Sequence, residues 1–567
     1  LFRRAIPHLR YAAFPSRPVC DILKTQPFST MSTDQRPFVN PWIVTTSVML
    51  ATFMEVLDTT VVNVSIPHIS GNLGSTYEEG TWVVTSYLVA NAIVLPMSGW
   101  LATYFGRRRL LLACVAGFSI ASFLCGAATS LTALIFFRVL QGLAGGGLQP
   151  LAQAIMFETF PKEKHGQAMA AYAMGIIVAP ILGPTLGGWI TDNYSWRWIF
   201  YLNIPVGAFS MAMMTRFVHD PPYLRRNRDA SVDMWGIGLL ALGLGALQIL
   251  LDTGQRKDWL GSQSIRTEAF VCVIALGIFL WRELTIEHPI VDLRALKDRS
   301  FAVGICLMSA VGFCLYSSMV LLPQYLETLL NYPSMQAGLA LSPRGLGSMA
   351  LTFVIGAIAA RVDVRRLIVI GFAVGGGTMV MLSRLNLNAG YWDIFWPQIF
   401  QGAAMACVFV PLSAASLSNV AREKMGNATS IYNLMRNIGG SVGIAMMTTF
   451  LARRQQFHQS RLIENVLPGT PQGNLLMQQF DGYFHMRGSG PTLALHQAQK
   501  AIYGMVQQQA AMLSFVEAFK LMSLVFFCLI PFVALLRDPK KERKQKAPTN
   551  VDAELPDPAE AAEIAAV

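Results

Sequence analysis

The sequence predicts an all-α membrane protein: fourteen spanning helices in two like-oriented six-helix halves, with two further helices inserted between them. Three observations point there. The chain of 567 residues is 53% hydrophobic and only 14% charged, where soluble domains carry about 25% charge. Apolar runs of about 18 residues or more, enough to cross a bilayer, recur along most of its length. A block of sequence also recurs at an offset of 260 residues.

The apolar runs lie near 42–64, 80–101, 109–128, 131–157, 166–190, 197–217, 234–252, 268–286, 300–325, 334–358, 365–384, 391–414, 427–452 and 512–537. Lys and Arg orient them, because basic residues stay in cytoplasmic loops. The loops after even-numbered spans hold Arg107 to Arg109, Lys162 and Lys164, Arg225, Arg226 and Arg228, Arg294, Lys297 and Arg299, Arg361 to Arg366, and Arg422 and Lys424. The loops after spans 1, 3 and 9 hold none. Both termini are therefore expected in the cytoplasm. The basic residues after span 7 and in the loop 453–511 are exceptions, and long loops cross largely regardless of charge. The net charge of +11 sits in these short clusters, which argues against nucleic acid as a partner.

The repeat sets the halves. Lys162-Glu163-Lys164-His165-Gly166-Gln167-Ala168, followed by Tyr172, returns as Arg422-Glu423-Lys424-Met425-Gly426-Asn427-Ala428, followed by Tyr432. Gln141-Gly142 returns as Gln401-Gly402. Gly99 and Ala102 with Arg108-Arg109 return as Gly356 and Ala359 with Arg365-Arg366. Spans 2 to 5 thus match spans 10 to 13 in the same orientation, the plan of two parallel halves around a central cavity. The divisions follow: an N-terminal cytoplasmic segment 1–41, a first half 42–217, a linker with two extra spans 218–299, a second half 300–537 with an outer loop 453–511, and a disordered cytoplasmic tail 538–567. Residues 1–30 are basic like a transit peptide, but an over-extended start with Met31 as the true beginning is preferred. The loop 453–511 holds an expected amphipathic helix near 494–510.

Seven of eight cysteines lie in apolar runs without a Cys-x-x-Cys pair, as small buried hydrophobes. No phosphate-binding glycine loop, metal-ligand spacing or nucleophile elbow is present, which argues against an ATP-driven pump or an enzyme and for no cofactor beyond an ion gradient.

Ionisable groups at membrane depth mark functional candidates. Glu55 and Asp58 on span 1 are three residues apart, so they share a helix face. Close carboxylates in a low-dielectric cavity are suited to carry a proton. The plainer reading is that Asp58 bonds Thr or Asn neighbours and locks a helix contact. Arg138 on span 4 either pairs with a span 1 carboxylate or snorkels to the interface. Arg344 and Arg436, deep in spans 10 and 13, either bind an anionic substrate group, pair with Glu327 or Glu517, or steady a helix end; the structural reading is preferred. His68 and His165 read as solvated loop residues. Span 5 carries Gly175, Pro180, Gly183, Pro184, Gly187 and Gly188, a pattern of close packing or of a hinge. The 27 methionines suit a pliable cavity or ordinary core.

Several of these stretches together resemble the fourteen-span drug:proton antiporter-2 branch of the major facilitator superfamily, in its EmrB/QacA type. Leu57-Asp58-Thr59-Thr60-Val61-Val62-Asn63-Val64-Ser65-Ile66-Pro67 is similar to the branch's first-helix motif. Arg138-Val139-Leu140-Gln141-Gly142 resembles the span 4 motif, whose Arg the family implicates in proton relay. Gly175 to Gly188 resembles the span 5 antiporter motif, and Trp196 to Phe200 with Asn203 and Pro205 also fits. The span 2–3 loop keeps Gly99, Leu101, Ala102, Gly106 and Arg107, but Thr103 and Tyr104 replace the family's Asp and Arg. The usual latch at that loop is therefore absent or made by other groups. The resemblance implies a major facilitator fold and proton-driven multidrug export from the inner (plasma) membrane. It also implies small hydrophobic substrates, and a membrane-fusion adaptor and outer-membrane channel as partners. A proton-coupled uptake carrier of the same fold is the alternative, with a non-transporting receptor or scaffold as the reading from another class.

Overall fold

The computed structural model describes residues 40–220, 233–286, 289–359, 361–467 and 469–536. Residues 1–39, with the question of the true start, lie outside them, as do Arg225, Arg226, Arg228 and the tail from residue 537. The described chain is helical, and thirteen helices are long and apolar enough to cross a membrane.

The first half comprises α1 (Pro41–Leu73), α2 (Tyr77–Phe105), α3 (Arg107–Ala127), α4 (Leu131–Gly145), α5 (Leu148–Thr159), α6 (His165–Asn193), α7 (Arg197–Tyr201) and α8 (Asn203–Phe217). The fourth span is broken into α4 and α5 at Gly146-Gly147, and the sixth into α7 and α8. Then come the inserted α9 (Met234–Thr253) and α10 (Gln263–Thr285), stapled by Arg282, which donates to both carboxylate oxygens of Asp233 at 2.8 Å. The second half comprises α11 (Arg299–Leu329), α12 (Ser334–Ile358), α13 (Val364–Leu382), α14 (Tyr391–Leu417), α15 (Met425–Glu464), α16 (Pro471–Met486) and α17 (Pro491–Val533).

The expected thirteenth crossing, 427–452, falls within α15, which is too polar to count among the thirteen apolar helices. Its physical reason is position. Thr429, Ser430, Asn433 and Arg436 are buried against protein, so they meet hydrogen-bonding partners in place of lipid. The segment 453–511 differs from the expected loop: α15 runs on to Glu464, α16 forms a short hairpin arm, and α17 begins at Pro491. At 1.5 Å per residue the 43 residues of α17 extend about 65 Å, well beyond the ~30 Å of a hydrocarbon core.

Close crossings hold each half. α1 lies on α6 because Gly183 and Gly187 leave room: a Cβ at Gly183 would sit 2.6 Å from the Thr60 Cβ, and one at Gly187 3.0 Å from the Val61 carbonyl. Gly175 faces Met49 and Gly188 faces Val64. The span 5 glycine stripe is thus a packing surface toward α1, and α6 stays continuous through Pro180 and Pro184. α14 lies equally close to α12, where a Cβ at Gly402 would overlap the Arg344 carbonyl.

The halves meet along α2–α15 and α6–α12. Toward the end carrying Arg107, Lys164 and Arg422, backbone touches backbone. A Cβ at Gly99 would lie 2.7 Å from the Asn427 Cα, and one at Gly356 would lie 2.9 Å from the Gly166 carbonyl. These two crossings are the repeat's own equivalents, Gly99 on Gly426-Asn427 and Gly356 on Gly166. Gly106 (φ +89°) makes the tight turn into α3 that a side chain would strain.

Candidate functional site

Asp58 sits on α1 with its side chain fully buried, and everything around it donates. Arg138 Nη1 lies 2.5 Å from Asp58 Oδ2. Gln141 Nε2 (3.1 Å) and Asn203 Nδ2 (2.7 Å) donate to Asp58 Oδ1. Arg138 is held in turn: Nε donates to the Val83 carbonyl at 2.9 Å, Nη1 donates to Gln141 Oε1 at 2.8 Å, and the guanidinium lies 4.2 Å from the centre of the Tyr87 ring. Asn203 also donates to Ser122 Oγ at 3.0 Å, and Ser122 Oγ donates to the Phe200 carbonyl. Arg138 therefore pairs with the span 1 carboxylate and does not snorkel. α4 reaches this position because it lacks side chains where it crosses α2: a Cβ at Gly142 would lie 2.5 Å from the Tyr87 carbonyl, and one at Gly146 2.6 Å from that of Asn91.

Glu55 does not share this environment, although it is one turn away. Its Oε1 accepts from Asn91 Nδ2 (3.0 Å) and Gln149 Nε2 (3.1 Å), while Oε2 has no partner among the described residues. Glu55 borders a cavity of about 440 Å³ between the halves. The cavity runs from Glu55 and Gln149 past Pro180, Pro184, Tyr316 and Arg344 to Tyr77 and Glu327, both exposed, at the end away from Arg107. Below it, toward the basic end, the seam is shut. Ser98 and Ser430 hydroxyls pair across it at 2.8 Å, Tyr172 OH donates to Asn433 Oδ1 at 3.2 Å, and Asn433 Nδ2 donates to Gln153 Oε1 at 2.7 Å.

The second half contains a matching polar core with different charge. Arg344 donates from Nε to Gln398 Oε1 (2.9 Å), from Nη1 to Ser318 Oγ (3.3 Å) and from Nη2 to Gln401 Oε1 (2.7 Å). At the repeat offset of 260, Ser318 stands for Asp58, Gln398 for Arg138 and Gln401 for Gln141. At the offset of 257, Arg344 stands for Tyr87. The first half encloses an acid and a base; the second encloses a base bonded only to amides and a hydroxyl. Arg436 is also fully buried, and its Nη2 donates to Gln149 Oε1.

Other expected partners are corrected by the structure. Glu517 bonds neither Arg344 nor Arg436; it pairs with Arg454 (2.7 Å) and lies 3.1 Å from His458. His165 is not a solvated loop residue: it is buried at the start of α6, with its ring edge-on against Phe157 and 3.2 Å from the Phe160 carbonyl. His68 lies in α1, exposed, 3.6 Å from Asp192. At the span 2–3 loop, Thr103 Oγ1 donates to its own helix at Trp100, so it does not replace the missing Asp. Other groups reach across. Arg107 pairs with Glu158, and its Nη2 contacts the Arg422 carbonyl at 3.5 Å. Asp292, in the linker, accepts from Lys424 Nζ at 2.8 Å and exchanges backbone hydrogen bonds with the Asn427 side chain. Partial burial disfavours the Asp292 charge, but the Lys424 ammonium and the Arg294 amide outweigh it and hold the carboxyl below its usual range. Asp292 thus contributes its contact throughout neutral pH and loses it only in strong acid.

A family model described as Major Facilitator Superfamily matches residues 48–444. The chain belongs to the major facilitator superfamily. Within it the chain is of the EmrB type. It is 38% identical to the "Multidrug export protein EmrB" of Escherichia coli (strain K12), across 88% of this chain and 95% of the relative. It is 37% identical to the "Fatty acid resistance protein FarB" of Neisseria gonorrhoeae, across 88% and 96%. The human organic anion transporter MFSD10 (TETRAN) shares the fold, with a TM-score of 0.53 at 13% identity, across 87% of this chain and 100% of that one. A major facilitator protein is a multi-pass membrane transporter and not an enzyme. Sequence patterning singled out the charged residues of its core but not the amides that connect them. Gln141 and Gln401 were visible as a repeated Gln-Gly pair and Asn203 through the family resemblance; Asn91, Gln149 and Asn433 carried no mark.

Proposed function

We propose that this protein exports hydrophobic or amphipathic small molecules across the plasma or inner membrane by alternating access, driven by proton entry. The observation that carries this is the cavity between the halves, shut at the basic end and bordered at its floor by the buried carboxylate of Glu55. The positive-inside rule places the basic end and both termini in the cytoplasm, so the cavity faces outward, at the stage of substrate release. Asp58, with Arg138, and Glu55 are the proton-coupling groups. The relatives printed as a multidrug export protein and a fatty acid resistance protein support an apolar or amphipathic cargo. In inverted vesicles, substrate uptake should require a proton gradient; uptake that persists after the gradient is collapsed would exclude proton drive.

Arg344 lines the cavity, is 1% exposed and has no acidic partner among the described residues. An uncompensated buried cation is costly, and an anionic group entering the cavity relieves that cost. We assign Arg344 to the acidic headgroup of an amphipathic substrate. Arg344→Gln is expected to raise the KM for a fatty acid roughly tenfold, about 1.4 kcal/mol, while leaving a neutral dye nearly unchanged. Equal loss for both would make Arg344 structural.

The arm α16 exposes Leu475 and Met486 on the outer side, which suits a membrane-fusion adaptor that leads to an outer-membrane channel. Full export after deletion of the arm, with no adaptor co-purifying, would count against that partner.

A further inference from the structure

A proton bound in one half acts on transport only if the other half feels it. Asp58 is wired inward. Its partners Arg138, Gln141 and Asn203 all belong to its own half, on α4 and α8. Glu55 is wired across. Gln149 Nε2 donates to Glu55 Oε1 at 3.1 Å, and the same side chain's Oε1 accepts from Arg436 Nη2 on α15. One amide stands in the seam between an acid of the first half and a base of the second.

The charges fix the orientation of that amide. Turned over, it would set its N–H groups against the guanidinium and its oxygen against the carboxylate, two repulsive contacts at a buried position. All three side chains are buried: Glu55 is 3% exposed, Gln149 7% and Arg436 0%. The break at Gly146-Gly147 starts α5 just before Gln149 and sets it opposite α15.

We propose that Gln149 is a positioning residue that senses the charge of Glu55 and, through Arg436, holds the halves closed at the basic end only while Glu55 is ionised. This rests on the proton-driven reading above. With Glu55 negative, both hydrogen bonds of the amide are charge-assisted and polarised in the same sense. A proton on Glu55 removes the acceptor charge and leaves Arg436 buried without a counter-charge. Few groups could substitute for it. Facing Glu55 are Asp58 on its own helix, the phenols of Tyr87 on α2 and Tyr172 on α6, the Cys114 thiol on α3, and Arg436 on α15; Tyr316 on α11 faces Arg436. Asp58 is already engaged by Arg138, and the phenols and thiol are neutral in the physiological range. Besides Gln149, Arg436 bonds only neutral groups among the described residues, the Asn437 amide oxygen (3.4 Å from Nη2) and the Tyr172 phenol, so the Gln149 amide carries the cation's link to Glu55. A neutral Glu55 therefore weakens the seam at its floor and favours opening toward the cytoplasm.

The test uses full-length protein in lipid nanodiscs, with Cys20, Cys306 and Cys528 replaced by Ser and spin labels at Glu78 and Thr328, both exposed at the outer end. Wild type is expected to shift between two label distances on acidification. Glu55→Gln should hold the acid distribution at neutral pH. Gln149→Leu should reduce the pH-driven change in the ratio of the two states at least about tenfold. Gln149→Glu gives Arg436 its own carboxylate and should hold the neutral distribution into acid, which decides the matter should the Leu variant not fold. A wild-type pH response in folded Gln149→Leu or Gln149→Glu overturns the relay and leaves proton-driven export standing. A wild type with no pH response and no gradient-dependent transport overturns both.

Discussion

Asp58→Asn is expected to abolish gradient-driven transport and to destabilise the first half. The carboxylate accepts from Arg138, Gln141 and Asn203 in a site closed to water. Asn keeps the volume but loses the charge, and its amide N–H₂ faces donors. Arg138 is then a buried cation without a counter-ion, a change that costs about 3–5 kcal/mol. Arg138→Gln should fail equally, for the opposite reason. The double variant Asp58→Asn with Arg138→Gln should regain most of the stability, because neither charge is left alone, but none of the proton-driven transport. Thermal unfolding in detergent measures the first effect and substrate uptake into inverted vesicles the second. Transport by the double variant at the wild-type rate would remove Asp58 from the coupling mechanism and leave it a structural group.

The second large effect is expected at Gly99, without any charge being touched. A Val there places its Cβ 2.7 Å from the Asn427 Cα and 2.8 Å from the Gly426 carbonyl carbon. Both are backbone atoms of α15, so no rotamer change relieves the clash. The cost of such overpacking is about 1–3 kcal/mol, and it falls only on the state in which this end is shut. A difference of that size shifts a two-state equilibrium about 5- to 150-fold. Gly99→Val should therefore fold normally but rest with the basic end open. Gly356→Val should do the same through the Gly166 carbonyl and the Ala170 Cβ, each 2.9 Å away. A cysteine at Ser430, buried in the closed seam, reports the change: it should react with a membrane-impermeant thiol reagent applied from the cytoplasmic side in the glycine variants and resist it in wild type. Equal reactivity in all three would mean that the seam does not need this contact to close.

Apolar run length located the helices, because lipid imposes a minimum span on any chain that crosses it. It also marked 427–452, which lies within α15, although the buried polar face of that helix answers to the opposite half. Helical spacing placed Glu55 and Asp58 on one face, yet one turn of helix is enough to aim one at the cavity and the other at α4. Which of two neighbouring carboxylates meets an arginine depends on where Arg138 and Gln149 arrive from other helices, and that is a matter of tertiary packing. The missing acid in the span 2–3 loop was legible, but not that Arg107 of this loop pairs with Glu158, nor that Asp292 of the linker ties down Lys424 and Asn427 of the matching loop region in the second half. The glycines were legible as a stripe, but whether a stripe bends or packs is decided by what lies against it.

The inserted pair gives the molecule a front and a back. Along the seam of α6 and α12 the halves touch directly. Along the other seam, α9 leans on both: Asp252 takes a hydrogen bond from Thr85 on α2, and Gln248 takes one from Ser441 on α15 at 3.0 Å. Trp259, just beyond α9, donates to Thr449 on α15 at 2.9 Å. In the alternating-access motion proposed above, α2 and α15 would slide past this bearing, and among the described residues no inserted helix bridges the α6–α12 seam in the same way. The extra helices would then set the axis about which the halves turn.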